Sequence, residues 1–174
     1  MFDLMSLTLS QLNQAGQAEF VRVVGPVFEQ SPWIAEITWS KKPFADMKDL
    51  HRSLCKAILE ASREKQLALI CAHPDLAGRA ALSGTLTRES TGEQASAGLD
   101  RLSRSEIGLF QKWNAVYREK FGFPFVICAR LTKKEAILGG LERRLSNSRE
   151  QEIQIALGEI FKIAELRLLD LICA

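Results

Sequence analysis

The stretch from Ser148 to Leu171, SREQEIQIALGEIFKIAELRLLDL, decides the fold class because it keeps one helical period throughout. Its apolar side chains fall on one face of an α-helix, and they are Ile153, Leu157, Ile160, Ala164 and Leu171. Ser148 is a residue type that caps helix N-termini. The stretch therefore predicts one long helix with a buried face, and Arg167 lies only about 40° from the centre of that face.

Two helices are predicted upstream. Apolar residues from Met47 to Ala61 recur at three- and four-residue steps and share one helical stripe. Ser62 can cap a second helix, which must end near His73 because Pro74 disfavours helical geometry in the residue before it. The small and polar residues that follow, from Asp75 to Thr91, are typical of a binding loop.

Further helices are predicted from capping-box spacing, in which Glu follows a Ser or Thr by three residues. The spacing occurs at Ser90–Glu93, Ser103–Glu106 and Thr132–Glu135, so one of these helices should begin near Thr91. Phe123–Ala129 is predicted to be an extended buried segment. No stretch shows sustained strand-like alternation. We predict an all-α fold, a single compact multi-helix domain over residues 1–174.

Composition limits the partners. The 174 residues are 47% hydrophobic, enough for one sizeable core, and 23 basic against 21 acidic residues leave no like-charge block. We expect a small-molecule partner, with no nucleic acid and no membrane. Export and membrane-spanning patterns are absent, and the four cysteines are far apart in apolar runs. We therefore expect a soluble, cytoplasmic protein with buried, reduced thiols.

Common cofactor signatures are missing from the chain. It has no His-x-x-x-His, Cys-x-x-Cys, Walker or dinucleotide glycine pattern, so neither a metal nor a nucleotide cofactor is predicted. Gly-x-Ser-x-Gly, the common serine-hydrolase signal, is also absent.

His73 is the first candidate for chemistry, since histidine alone has an ordinary pKa near neutrality. A structural alternative is a histidine that interacts with the last carbonyls of its helix. The other histidine, His51, lies within a helix between Asp49 and Arg52 and is interpreted as partly exposed and structural.

Glu93 and Arg167 each have a functional and a structural interpretation. A capping box with Ser90 would account fully for Glu93. The adjacent Gln94 is expected on the first turn of the same helix, where the helix dipole favours a bound anion. A buried guanidinium needs an anion, which for Arg167 is either a core-edge Glu or Asp or a substrate carboxylate or urea-like group.

Seven ordered motifs resemble the signature of the OHCU decarboxylases, enzymes that act on 2-oxo-4-hydroxy-4-carboxy-5-ureidoimidazoline. In chain order they are Phe28–Glu36, Ala72–Arg79 (AHPDLAGR), Leu86–Ser90, Glu93-Gln94, Ala97–Leu99, Lys120–Cys128 (KFGFPFVIC) and Ile163–Leu168. The likeness spans nearly the whole chain. It implies an all-α homodimer whose pocket needs no cofactor and which converts this ureidoimidazoline to (S)-allantoin and CO2 in urate breakdown.

The resemblance also implies roles for individual residues. His73 matches the catalytic histidine, with Glu93 as the acid that orients it or relays the proton. The residues that match substrate-binding positions are Pro74, Ser90, Gln94, Phe125, Ile127, Ala129 and Arg167. Two other functions stay open, a ring-amide or ureide hydrolase in which His73 and Glu93 activate water, and a non-catalytic helical interaction module.

Overall fold

The computed structural model describes residues 7–78, 81 and 83–173, with no account of the Cys173 side chain. Regular structure in these ranges is almost entirely helical, so the predicted all-α class is confirmed. The helices are α1 (Leu9–Gln14), α2 (Gln17–Val24), α3 (Trp33–Trp39), α4 (Met47–Leu59), α5 (Arg63–Ala72), α6 (Arg88–Ser96), α7 (Arg104–Phe121), α8 (Lys134–Arg144) and α9 (Arg149–Leu171). Part of the predicted binding loop, including Arg79, lies outside the described residues.

The chain divides into two compact units, and the first comprises Met1–Leu69 and Phe161–Ala174. In this unit α2 packs on α3, and α3 packs on α4. Two-residue strands, β1 (Leu7–Thr8) and β2 (Ile172–Cys173), pair in parallel. The ring Nε2 of His51 lies 2.9 Å from the carbonyl oxygen of Phe161, so the structural role predicted for His51 is confirmed.

The second unit, Ile70–Ile160, has a core of aromatic rings. The ring of Tyr117 lies 4.6 Å from that of Phe121 and meets Phe125 edge-on at 5.3 Å, a favourable geometry for aromatic pairs. α7 carries Tyr117 and packs on α8. Phe123 and Phe125 are at most 1% exposed and lie outside regular structure, as predicted, whereas Ala129 at the end of the predicted segment begins a 3-10 turn.

Local capping chemistry predicts several helix ends correctly. Ser103 and Glu106 form the expected reciprocal capping box at the start of α7, and Gly122 ends that helix with a φ of 81°. Ser148 caps α9 by accepting from the N–H of Gln151. The box predicted at Thr132 is wrong. The Thr132 hydroxyl donates to the carbonyl of Cys128 instead, and α8 begins without a side-chain cap.

The start of α6 also differs from the prediction. Thr87 caps the helix, and its hydroxyl oxygen accepts from the N–H of Ser90 at 3.2 Å. Ser90 is therefore the third helical residue, and the capping box Ser90–Glu93 is wrong. Two hydroxyl side chains three residues apart offer the same capping chemistry, and the first of them takes the free N–H groups. Gln94 consequently lies in the second turn and not in the first.

The cysteine prediction is partly wrong. Cys55 and Cys128 are buried free thiols, whereas Cys71 is free but exposed. Leu69 and Ile70 take the buried face of α5, both at 0% exposure, which leaves Cys71 on the outer face. None of the described helices combines the length and apolarity needed to cross a membrane.

Candidate functional site

His73 directly follows the last residue of α5 and is buried. Its backbone N–H donates to the carbonyl of Ile70 at 3.2 Å, which closes the last turn where Pro74 prevents the helix from continuing. The residue is 7% exposed. An imidazole held mostly out of water can exchange a proton with a bound group with little competition from bulk solvent.

The backbone after Pro74 is bound to α6 through Gln94. The N–H of Ala77 donates to the side-chain oxygen of Gln94 at 3.0 Å, and the Gln94 amide nitrogen donates to the carbonyl of Asp75 at 3.5 Å. Ala77 has a φ of 49°, a conformation that costs free energy for a residue other than glycine. Gln94 therefore stabilises the loop next to His73, a contact that spacing alone did not predict.

Glu93 lies near the segment Phe123–Ala129. Its helix, α6, packs against the 3-10 turn Ala129–Leu131. Burial raises the pKa of the Cys128 thiol, and the negative charges of Glu159 and Glu93 raise it further. The Glu93 side chain is half-buried. Since Thr87 caps the helix, the structural interpretation of Glu93 as a capping residue is wrong.

The predicted pocket segment is held by its backbone. The N–H of Cys128 donates to a carboxylate oxygen of Glu159 at 2.7 Å, and the Arg144 guanidinium donates to the carbonyl of Val126 at 2.8 Å. Phe125 and Ala129 are buried, whereas Ile127 is half-buried. The second unit thus brings together the loop after His73, the helix of Glu93 and this segment.

Arg144 belongs to a buried polar network beneath the segment. Its guanidinium lies 4.3 Å from the centroid of the Phe125 ring and donates to Glu152 at 2.9 Å. Glu152 is 0% exposed and also accepts from the hydroxyl of Tyr117 and, at 2.6 Å, from the amide of Asn147. Burial and the hydrogen bond to Glu152 raise the pKa of Tyr117. Both oxygens of the buried carboxylate are therefore paired.

The family model for OHCU decarboxylase matches residues 13–169 of this chain. The chain belongs to the OHCU decarboxylase family. A 2-oxo-4-hydroxy-4-carboxy-5-ureidoimidazoline decarboxylase of Halalkalicoccus jeotgali is 45% identical over 165 residues, 95% of this chain and 92% of the relative. A decarboxylase of the same name from Mus musculus is 42% identical over 168 residues, 97% of this chain and 94% of the relative.

Solved structures agree with this family. A crystal structure of OHCU decarboxylase in the presence of (S)-allantoin superposes with a TM-score of 0.68 at 25% identity, over 90% of this chain and 98% of that one. A crystal structure of (S)-allantoin synthase gives a TM-score of 0.77 at 28% identity. That match covers 95% of this chain but 54% of the other, so the chain spans about half the length of that protein.

Arg167 of this OHCU decarboxylase homologue belongs to the first unit. It is 7% exposed, which confirms the predicted burial. Its guanidinium donates to a carboxylate oxygen of Glu29 at 2.9 Å and to the carbonyl of Val27 at 3.2 Å. Glu29 is itself 5% exposed. Arg167 therefore has the anionic partner that the structural interpretation requires, and its role in substrate binding stays a prediction.

Sequence reasoning missed several residues that hold this region, among them Asn114, Arg118, Arg144, Glu152 and Glu159. Asn114 left a signal, because it occupies a buried position of α7 between the core residues Phe110 and Tyr117. The four charged residues left none, since charges on a helix usually indicate a solvated face. Within the part of the chain that the structure describes, no group of three His, Cys, Asp or Glu side chains could hold a metal ion.

Proposed function

We propose that this chain decarboxylates 2-oxo-4-hydroxy-4-carboxy-5-ureidoimidazoline to (S)-allantoin and CO2, a step in urate breakdown. The family match over residues 13–169 carries this function, and the curated relatives bear the name of this carboxy-lyase activity. The hydrolase and the non-catalytic module are not favoured, because neither accounts for that membership.

The reaction needs a proton donor but no external electron acceptor. When the bond to the carboxylate breaks, its electron pair can enter the adjacent ring C=N, and CO2 leaves. One proton must then reach the ring carbon that becomes the stereocentre. It must arrive from one face to give a single enantiomer. The protein therefore has to position the substrate, exclude water and deliver that proton.

His73 is our proposed proton donor, with Glu93 as the acid that orients it or passes the proton on. The burial of His73 supports this assignment, as does the loss of a capping role for Glu93. We place Pro74 beside the substrate because it adjoins His73. Ser90, which is 4% exposed on the third residue of α6, and Gln94 are proposed to bind polar groups of the substrate.

Phe125, Ile127 and Ala129 are proposed to form the apolar wall of the pocket. A wall of this kind destabilises a carboxylate relative to neutral CO2, because the charged group loses its hydration. The backbone bonds from Arg144 and Glu159 support the proposal, since they hold the segment in one conformation.

The activity is tested by making the unstable ureidoimidazoline from urate in situ and adding the protein. We expect faster loss of the carboxylate carbon by NMR and the appearance of the optical rotation of (S)-allantoin. Net hydrolysis without release of CO2 would support the hydrolase. Decay at the uncatalysed rate, with racemic product, would contradict the proposal and favour an interaction module.

Arg167 is proposed to bind substrate, and substitution by lysine tests it. A lysine keeps the charge but loses the planar pair of donors, so we expect KM to rise by about tenfold, equivalent to about 1.4 kcal/mol of binding. Steady-state kinetics measure this. Glu29→Gln is the matched control, since it weakens the ion pair but keeps the arginine. An unchanged KM in Arg167→Lys, with lower stability in both variants, would favour the structural interpretation.

Three further properties are proposed. The whole chain, 1–174, is taken as one OHCU decarboxylase-like domain, a proposal that the family match over residues 13–169 supports. A cytoplasmic location agrees with the free thiols of Cys55, Cys71 and Cys128. A homodimer agrees with two exposed apolar side chains of α7, Leu109 and Val116, which are 45% and 36% exposed. Sedimentation velocity should then give twice the chain mass of 19.5 kDa.

A further inference from the structure

Three consecutive residues after Pro74 are each held by a side chain from another helix. Gln94 of α6 binds the N–H of Ala77 and the carbonyl of Asp75. Two residues of α7, Asn114 and Arg118, bind the same short loop. The function proposed above uses neither of these α7 residues, and both lie in the second unit with His73.

Asn114 donates its side-chain amide to the carbonyl of Leu76 at 2.9 Å, across 38 positions of sequence. The residue is 6% exposed, and its side-chain oxygen has no hydrogen-bond partner in the described structure. A buried acceptor without a partner costs about 1–3 kcal/mol. An apolar residue would avoid this cost on a face shared with Phe110 and Tyr117. Asn114 therefore contributes a hydrogen bond that holds the loop, and it does not stabilise the core.

Arg118 lies one turn further along the same face of α7. Its Nε donates to both carboxylate oxygens of Asp75, at 3.0 and 3.1 Å. The arginine side chain is 43% exposed and that of Asp75 is 26% exposed, so this ion pair contributes little to stability. Its effect is geometric, because it adds a second contact from α7 to the loop that Asn114 binds.

We infer that Asn114 and Arg118 are positioning residues for His73. The inference rests on the proposed function, in which the His73 imidazole protonates the substrate. His73 is anchored on one side by the end of α5 and on the other by this loop, and Pro74 joins them with a restricted φ. A shift of Asp75–Ala77 is therefore passed to the imidazole. A misplacement of about 1 Å at a reacting group lowers the rate by as much as about a hundredfold.

Two variants test the inference by kinetics. For Asn114→Leu we expect kcat to fall by about tenfold or more and KM to change by less than about twofold. Stabilisation of the transition state depends on the exact position of the proton donor, whereas substrate binding does not. For Arg118→Gln we expect a loss of about threefold, and Arg118→Lys should restore most of it because lysine still pairs with Asp75. The fraction of (S)-allantoin should fall in Asn114→Leu, because a displaced donor no longer protonates one face alone.

Ser103→Ala is the matched control on the same helix. It removes the capping box of α7 and should cost about 1 kcal/mol of stability, but it does not contact the loop. We expect its kcat and product stereochemistry to equal those of the wild type. A loss of kcat in Ser103→Ala as large as in Asn114→Leu would overturn the inference, since general destabilisation would then explain both.

An independent readout uses the two histidines of the chain. In ¹H–¹⁵N NMR, Asn114→Leu and Arg118→Gln should shift the imidazole signals of His73 and leave those of His51, in the first unit, unchanged. Unmoved His73 signals would overturn the inference. If Asn114→Leu does not fold, Arg118→Gln still tests the inference. The ion pair between Arg118 and Asp75 is partly exposed, so its loss should leave the fold intact. The NMR shift can be measured even if the wild type has no decarboxylase activity. Absence of that activity would refute the proposed function, and unmoved His73 signals would refute the positioning role.

Discussion

His73→Asn is expected to lower kcat by about a hundredfold to ten-thousandfold, the usual contribution of a positioned general acid. Asparagine keeps polarity and approximate size, but its amide cannot act as an acid near neutral pH. Binding and desolvation of the substrate should remain, so we expect KM to change much less than kcat. The measurement is the initial rate of CO2 release from ureidoimidazoline made in situ, with circular dichroism to confirm that helix content is kept.

His51→Asn is the natural control for that substitution. His51 bonds the carbonyl of Phe161 in the first unit and has no part in the proposed chemistry. We expect a small loss of stability and an unchanged kcat. Near-normal turnover in His73→Asn would contradict the proposed role of His73, and a comparable loss in both variants would show that the effect is not specific to residue 73.

Glu152→Ala is expected to lower the free energy of unfolding by about 3–5 kcal/mol, the effect of removing one partner of a buried ion pair. The substitution removes a carboxylate that is 0% exposed and leaves Arg144, 12% exposed at its side chain, without its anion. The hydroxyl of Tyr117 and the amide of Asn147 lose their acceptor as well. Urea unfolding, followed by far-ultraviolet circular dichroism, measures the change.

Two comparisons make this prediction specific. Glu142→Ala removes an exposed carboxylate of α8 and should change stability by less than about 0.5 kcal/mol. The double variant Arg144→Met/Glu152→Leu removes both charges and should recover much of the loss, because an apolar pair leaves no buried charge unpaired. A loss below about 1 kcal/mol in Glu152→Ala would show that water reaches the network.

The second effect of Glu152→Ala concerns the pocket segment. Arg144 holds the carbonyl of Val126 and lies over the ring of Phe125, and Glu152 holds Arg144 in that position. Once Arg144 is released, the proposed apolar wall is less ordered. The variant therefore links the stability of the second unit to substrate binding, and a raised KM should accompany the loss of stability.

Helices were predictable where the signal is local. The period of α9 and the capping residues Ser103 and Ser148 act within one or two turns, and the structure confirms them. The prediction was wrong where two local signals compete. Thr87 and Ser90 offer equivalent hydroxyls, and Thr132 can either cap α8 or bond the carbonyl of Cys128. Propensity alone cannot rank such alternatives.

The candidate site was predictable only as a set of residue types. A histidine before a proline, an acid in a helix and an arginine on an apolar face stand out in the chain, but their partners do not. The pairing of Gln94 with Ala77 and the contact of Glu159 with Cys128 join residues 17 and 31 positions apart. No periodic pattern encodes these contacts.

Periodicity, capping residues and proline thus established an all-α chain with a histidine at the end of a helix, since these signals depend on neighbours in sequence. Packing alone settled the rest. It paired Arg167 with Glu29, moved the start of α6 to Arg88 and turned Asn114 towards the loop after His73. Such choices depend on which distant groups can satisfy a buried donor or charge, and that is known only once the chain is folded.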